Sequence, residues 1–356
     1  MTWQFEHVTL GQRVLFGTGG AARNLAAEVA RLGANRVLLV ASEHEDQLAQ
    51  EVTSRIDVAA RCADVAPHVP VANAERARAQ AAEAGADLLV SVGGGSTTGL
   101  AKAVALTTGL PIVAVPTTYA GSEATNVWGM TESARKTTGT DDRVLPVTVV
   151  YDAALTLSLP AELSVTSGCN ALAHCVDSMW GPQTDPIDAA LAGEGIRALA
   201  NGLPLVRKDP EGLVGRERML YGAYLAAVAF ASAGSGLHHK ICHVLGGAYD
   251  LPHARTHTAV LPYVLAFNAP AAREAAARIA DALGTTDAVA GLISLYAELD
   301  APRALRDAGL AEADIAEAAR LILPAVPAAN PRPVSEGEMT ALLTAAWAGQ
   351  DPAILT

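Results

Sequence analysis

Four histidines and one asparagine stand at spacings that would gather their side chains at one point. Asn170 and His174 are four residues apart, as are His239 and His243, and residues four apart lie one above the other on a helix face. His253 follows in what reads as the loop after Gly246-Gly247, and His238 and Lys240 adjoin His239. A lone histidine is usually a cap or a satisfied core hydrogen bond, but two pairs at helical spacing are harder to explain that way. Neutral imidazoles so spaced resemble metal-ligand geometry. Asn170 breaks the pattern, because an amide offers an oxygen without a charge and a divalent cation would lose an anionic ligand. The residues read as a metal site with its charge-neutralising member removed.

A second set of residues suits a phosphate. Val90-Ser91-Val92-Gly93-Gly94-Gly95-Ser96 joins a strand to a helix; the glycines let backbone approach a phosphate, and the helix N-terminus offers free N–H groups. Thr117 and Thr118 close a strand with hydroxyls at its carboxyl end, where nucleotides sit on open sheets. Phe16-Gly17-Thr18-Gly19-Gly20 precedes the first helix in the same way. One glycine turn is often only a tight connection, but three such ends imply a dinucleotide crevice built from Gly93, Gly94, Gly95, Ser96, Thr117 and Thr118. An acidic residue at the end of the second strand would grip a ribose 2′-hydroxyl and repel a 2′-phosphate. Ser42 stands there and is neutral, with Glu43 one place later, so NADH and NADPH both stay open. Lys136 is read as a further cofactor contact, and Arg143 as a solvated surface charge.

The elements that must hold these residues fall into two regions. Strands are expected at 13–16, 36–40, 87–92, 111–115 and 147–151, with helices at 19–32, 45–56, 74–84 and 96–107. Continuous rather than alternating apolar strands indicate a parallel sheet covered by helices on both faces. Beyond Leu159-Pro160 the pattern turns helical, at 165–180, 185–202, 211–233, 236–248 and 271–283, and 324–333 reads as a Pro-rich loop. The fold expected is an α/β nucleotide-binding domain over 1–160 followed by an all-α substrate domain over 161–356. The 356 residues suffice for two such cores, and clefts between domains are frequent ligand sites.

Composition narrows the partners. A net charge of −12 argues against nucleic acid, and no apolar run reaches the length of a membrane span. An anionic substrate would then need positive charge concentrated locally in the site. The four cysteines form no CxxC pair, and the N-terminus lacks the basic flank and apolar stretch of a secretory signal, so a reducing, cytoplasmic setting is expected.

Read together, these segments resemble the iron-containing alcohol dehydrogenase superfamily, and within it the maleylacetate reductases. The resemblance runs through the nucleotide turn 93–102 (GGGSTTGLAK), 115–123 (VPTTYAGSE), 135–139 (RKTTG), 168–176 (GCNALAHCV), 236–247 (GLHHKICHVLGG), 251–257 (LPHARTH) and 330–334 (NPRPV). It implies a Rossmann-like, dehydroquinate synthase-like first domain and a homodimer. Metal-dependent members use an Asp and three His; those positions fall here on Asn170, His174, His239 and His253, with His243 a further site histidine. Segments 124–128 and 324–327 depart from the expected pattern, which leaves the exact substrate open.

The chemistry implied is reduction of the C=C bond of an enone diacid by NADH or NADPH, with no metal expected. Charge develops on a ketone oxygen, so a donor placed there lowers the barrier; His243, with His253, is the candidate. Asn170, His174, His239, Lys240 and Arg332 are the candidates for binding a small dianionic substrate. The competing expectations are a metal-dependent alcohol dehydrogenase, a reductase of a related unsaturated or keto acid in a biosynthetic pathway, and a nucleotide-binding protein without catalysis.

Overall fold

Nearly continuous apolar runs of four to six residues can bury their side chains in a sheet only if both faces are covered. The first unit of the chain is built on that requirement. The computed structural model describes residues 4–132 and 135–356, and the chain divides into two units. One is Leu10–Pro160; the other is Ala161–Thr356, with the N-terminal segment ending at Thr9. His7 ties that segment to the second unit through Asp185 Oδ2 at 2.7 Å.

In the first unit the elements run β1 (Arg13–Phe16), α1 (Ala21–Leu32), β2 (Val37–Val40), α2 (Asp46–Thr53), β3 (Val58–Cys62), α3 (Val71–Glu83), β4 (Leu88–Gly93), α4 (Gly95–Thr108), β5 (Ile112–Pro116), β6 (Val127–Glu132), β7 (Arg135–Thr140) and β8 (Thr148–Tyr151). Six strands form one parallel sheet in the order β1-β8-β5-β4-β2-β3, and β6 and β7 form a separate antiparallel pair. Every residue of β2, β4, β5 and β8 is buried. Alternate side chains feed two cores. Val37, Leu39, Leu88 and Val90 pack with Leu25 of α1 and Val52 of α2, while Leu38, Val40 and Leu89 pack with Ala77 of α3 and Leu100 of α4. The parallel α/β architecture is the one expected.

Three strands escaped the sequence pattern. β3 lies at the sheet edge, and its VAARC carries little apolar signal. β7, RKTTGT, carries no apolar signal, and the short β6, VWGMTE, is interrupted by a glycine; the two pair with each other.

The second unit is helical throughout its described elements: α5 (Ala161–Ser178), α6 (Pro186–Lys208), α7 (Leu213–Ala233), α8 (Leu237–Tyr249), α9 (His253–Asn268), α10 (Arg273–Ala282), α11 (Ala288–Leu299), α12 (Ile315–Ile322) and α13 (Glu336–Ala348). α9 corrects the sequence reading, which left His253 in a loop. Pro252 is its N-cap, and Pro262 lies inside it. Nearly all of α9 is buried, and that packing overrides the helix-breaking tendency of proline. Among the described residues no single helix is long and apolar enough to cross a membrane.

Lys102 of α4 positions the segment that follows β5. Its ammonium is fully buried and donates to Thr125 O (2.7 Å), Thr125 Oγ1 (3.0 Å) and Val127 O (2.8 Å), three acceptors for three N–H groups. Lys102→Met leaves two carbonyls without that donor and should lower unfolding free energy by about 2–4 kcal/mol in urea titrations. A change below about 0.5 kcal/mol would show that those carbonyls find other partners.

Candidate functional site

The histidines meet in the helical unit because one buried carboxylate starts one of its helices. Asp177 lies near the end of α5. Its oxygens accept the backbone N–H groups of His238 (3.3 Å) and His239 (3.0 Å), the second and third of α8. It thus acts as an N-cap supplied by another helix. Gly236 stands at the cap position, and a Cβ there would come within 2.6 Å of Asp177 Oδ1. Only glycine leaves room for the carboxylate. The same group lies 2.8 Å from His239 Nδ1. That contact assigns the ring proton to Nδ1 and leaves Nε2 with its lone pair.

Around this anchor six imidazoles gather from three helices. His174 stacks on His239 with centroids 4.8 Å apart and planes 13° from parallel, and Phe230 of α7 sits 4.7 and 4.2 Å from the two rings. His238 Nε2 and His257 Nδ1 share a hydrogen bond of 3.0 Å. His257 lies 4.3 Å from His253, and His243 lies 5.8 Å from His239, measured between ring centroids. His238, His239 and His257 are buried, whereas His243 and His253 are exposed. Asn170 Oδ1, His174 Nδ1 and His239 Nε2 are buried without a hydrogen-bond partner among the described residues. Unpaired buried polar atoms are costly, so these three, with His238 Nδ1 and His257 Nε2 also unpaired in the same cluster, point to a polar ligand.

Burial sets the charge of the cluster. It pulls His174 down to about 4 and His238, His239 and His257 well below the ordinary histidine value, with the neighbouring rings adding to the effect. It also lifts Asp177 to about 7, against the N–H groups it accepts. The buried rings are therefore neutral near pH 7.

Of the residues singled out in the sequence, His174, His239, His243 and His253 come together, with Asn170 one turn before His174. Lys240 is half-buried on α8, about 100° round the helix from His239 and about 60° from His243, at the edge of the face those two share. Arg332 has structural employment: its guanidinium lies 4.2 Å over the Phe267 ring, pairs with Glu338 at 3.1 Å and donates to Leu355 O at 3.2 Å. It is withdrawn as a substrate-carboxylate partner.

Sequence reasoning missed Asp177, Phe230 and His257, and noted His238 only as a neighbour. The spacing of His253 and His257 is a third four-residue pair, hidden when His253 was placed in a loop. Asp177 stands seven residues after Asn170, on the same face of α5.

The α/β unit holds the phosphate turn. Gly93 ends β4 with φ +151°, Gly94 caps α4, and Gly95 and Ser96 open its first turn. A Cβ on Gly94 would meet the Thr118 methyl at 3.0 Å and one on Gly95 the Ala120 Cβ at 3.3 Å. The result is a cradle of bare backbone at a helix N-terminus, which fits a dinucleotide phosphate. Ser42 and Thr117 both donate to the Glu45 carboxylate, each at 2.9 Å. The turn before α1 does not belong to this crevice. Asp152 takes the N–H groups of Gly19 (2.8 Å) and Ala21 (3.0 Å), and β1 lies at the opposite sheet edge from β3. The side chain of Lys136 lies outside the described residues.

A parallel α/β unit with a glycine phosphate turn, followed by a helical unit with clustered histidines, defines an oxidoreductase fold. Residues 11–153 match the family described as iron-containing alcohol dehydrogenase, and residues 164–347 match the Fe-containing alcohol dehydrogenase family, C-terminal. The chain belongs to the iron-containing alcohol dehydrogenase family. Among its relatives, the maleylacetate reductase of Sphingobium indicum is 45% identical over 98% of this chain and 99% of its own. Among solved structures, an iron-containing alcohol dehydrogenase from Corynebacterium glutamicum superposes with a TM-score of 0.99 at 58% identity, covering 100% of both chains. The maleylacetate reductase of Rhizobium sp. strain MTP-10005 superposes with a TM-score of 0.94 at 42% identity, covering 99% of this chain and 100% of that one.

The family name implies a divalent metal, and the donors here fit one poorly. Ring nitrogens of His238, His239 and His257 lie within 4.8 Å of one another; His238 and His257 spend one nitrogen each on their mutual bond and keep the other unpaired, so the misfit is one of charge rather than of donor number. Asn170 brings no charge, and Asp177 is committed to α8 and to His239 Nδ1. No carboxylate is left to neutralise a cation among the described cluster residues.

The cluster makes the protein acid-sensitive. An unfolded chain protonates these rings near pH 6.5, while the folded rings resist until far lower pH, about 4 for His174. Stability is therefore full above 6.5 and is lost as pH falls through that window. Asp177 opposes this, since its folded carboxyl holds a proton between 3.8 and about 7 that the unfolded chain releases. Four rings against one acid leave a net uptake of about three protons on unfolding. Urea midpoints should drop steeply between pH 6.5 and 4.5; a flat profile would show that the rings are charged in the folded protein.

Proposed function

We propose that this enzyme reduces the carbon–carbon double bond of maleylacetate, with NADH or NADPH, to 3-oxoadipate. The observation that carries the reading is a neutral, carboxylate-poor histidine cluster with Asn170 at its edge, in a chain close over nearly its whole length to proteins named maleylacetate reductase. The cradle at Gly93–Gly95 supports a dinucleotide, and the bound nicotinamide supplies the hydride.

The alkene is conjugated to a ketone, so hydride enters at the carbon β to that ketone and the electron pair moves onto the ketone oxygen as an enolate. His243, exposed at the rim of the cluster, hydrogen-bonds that oxygen, with His253 as its companion. One proton delivered to the remaining alkene carbon completes the reduction. Asn170 donates to a substrate carboxylate through its amide nitrogen, where an Asp would repel it, and His174 and His239 line the same pocket. Lys240 adds long-range attraction for a dianion on a protein of net charge −12. No step uses a metal. With this reading go a cytoplasmic setting, drawn from the cysteine usage, and a homodimer, drawn from the resemblance.

A second reading is a metal-dependent alcohol dehydrogenase, favoured by the name of the Corynebacterium glutamicum structure. Oxidation of NADH and of NADPH followed spectrophotometrically with maleylacetate, before and after dialysis against a chelator, separates the two. The proposal expects turnover that dialysis leaves unchanged and no stoichiometric metal by elemental analysis. Activity lost to the chelator and restored by iron or zinc would establish the second reading. Asn170→Asp should raise KM for maleylacetate by about tenfold or more through repulsion of the carboxylate. An unchanged KM would remove Asn170 from the substrate site.

A further inference from the structure

Specificity for the dinucleotide is written at a residue three places beyond the position where an acid was sought. In the sheet order, β2 leads outward to β3 while β4 leads the other way to β5. The helices after them lie on opposite faces, α2 packing with α1 in one core and α4 with α3 in the other. The connections diverge between β2 and β4, and that is where an open parallel sheet receives a nucleotide.

The Glu45 carboxylate stands at this point. It accepts Ser42 Oγ through Oε2 and Thr117 Oγ1 through Oε1, each at 2.9 Å. It also lies against the bare face of Gly93, where a Cβ would come within 2.5 Å of Oε2 and would meet Thr97 Oγ1 as well. The ends of β4 and β5, two of the three expected to form the crevice, thus converge with the end of β2 on one half-buried carboxylate. Two hydroxyls donating to one carboxylate is the pattern a ribose diol makes with an acid. The same negative charge opposes a phosphate monoester.

The surrounding charges do not cancel it. Arg61 of β3 reaches the Ser42 carbonyl at 3.2 Å and is ion-paired with Asp46, so its charge is already shared with an acid. Glu43 beside it is exposed and acidic. We infer that Glu45 is the discriminating residue of the cofactor site, accepting the ribose hydroxyls in place of Ser42 and Thr117 and excluding a 2′-phosphate, so that the protein selects NADH. The inference rests on the dinucleotide reading of the Gly93–Gly95 turn.

Isothermal titration of the intact protein with NADH and with NADPH tests it without any substrate. Wild type should bind NADH more tightly by about tenfold or more, the scale of one charge-assisted hydrogen bond against one repulsion. Glu45→Gln keeps the shape and the polar partners. It should weaken NADH several-fold and strengthen NADPH, bringing the two constants within about threefold of each other. Glu45→Asp, which keeps the charge on a shorter arm, should retain the preference and shows that loss of preference is not loss of folding. A preference for NADPH in wild type, an unchanged ratio in Glu45→Gln, or equal tightening of both nucleotides in that variant would each overturn the inference. Failure of both nucleotides to bind wild type would instead overturn the reductase reading itself.

Discussion

The helical unit turns on a buried carboxylate at the start of another helix. Asp177 meets two backbone N–H groups of α8 and the Nδ1 of His239. A charge in that position is tolerable because the helix N-terminus presents unpaired donors and the positive end of its dipole. Three consequences follow from the one contact. α8 begins where it does, Gly236 cannot carry a side chain, and His239 has its proton on the side away from the unpaired nitrogen. The stack with His174 and Phe230 then holds that ring in place.

A similar device serves the α/β unit at two other places. Asp152 closes the N-terminus of α1, so that turn is consumed by the fold. Glu45 lies against Gly93 at the start of the β4–α4 turn; it stands at the N-cap position of α2, but its side chain makes no cap hydrogen bond, and its partners are hydroxyls. Carboxylates at strand and helix ends therefore divide into those that complete the fold and those left facing the crevice. The difference lies in whether backbone N–H groups or side-chain hydroxyls meet them. An acidic protein can present an anion site under these conditions, because the positive ends of helix dipoles act locally where net charge does not.

Much of the function was legible because its signals are local. A strand running into Gly93-Gly94-Gly95 needs no partner to be recognised, and four-residue spacing of Asn170 with His174 and of His239 with His243 states a shared helix face. What was not legible depended on approach from a distance. Asp177 reads as an ordinary polar residue at a helix end until α8 arrives against it. Arg332 reads as a free cation until Phe267 and Glu338 enclose it. His257 was hidden by Pro252, whose usual message is a break; here it starts α9.

The amino-acid order alone determined the parallel α/β region, the helical region after Pro160, the phosphate turn and the identity of the clustered imidazoles, since apolar period and glycine placement act over a few residues. Tertiary structure decided the β6–β7 pair, the edge strand β3, the tautomer of His239, the closing of the α1 turn by Asp152 and the placing of Glu45 against Gly93. Each of these depends on which donor meets which acceptor across tens of residues, and hydrogen-bond partners at that range are set by packing rather than by neighbours in the chain.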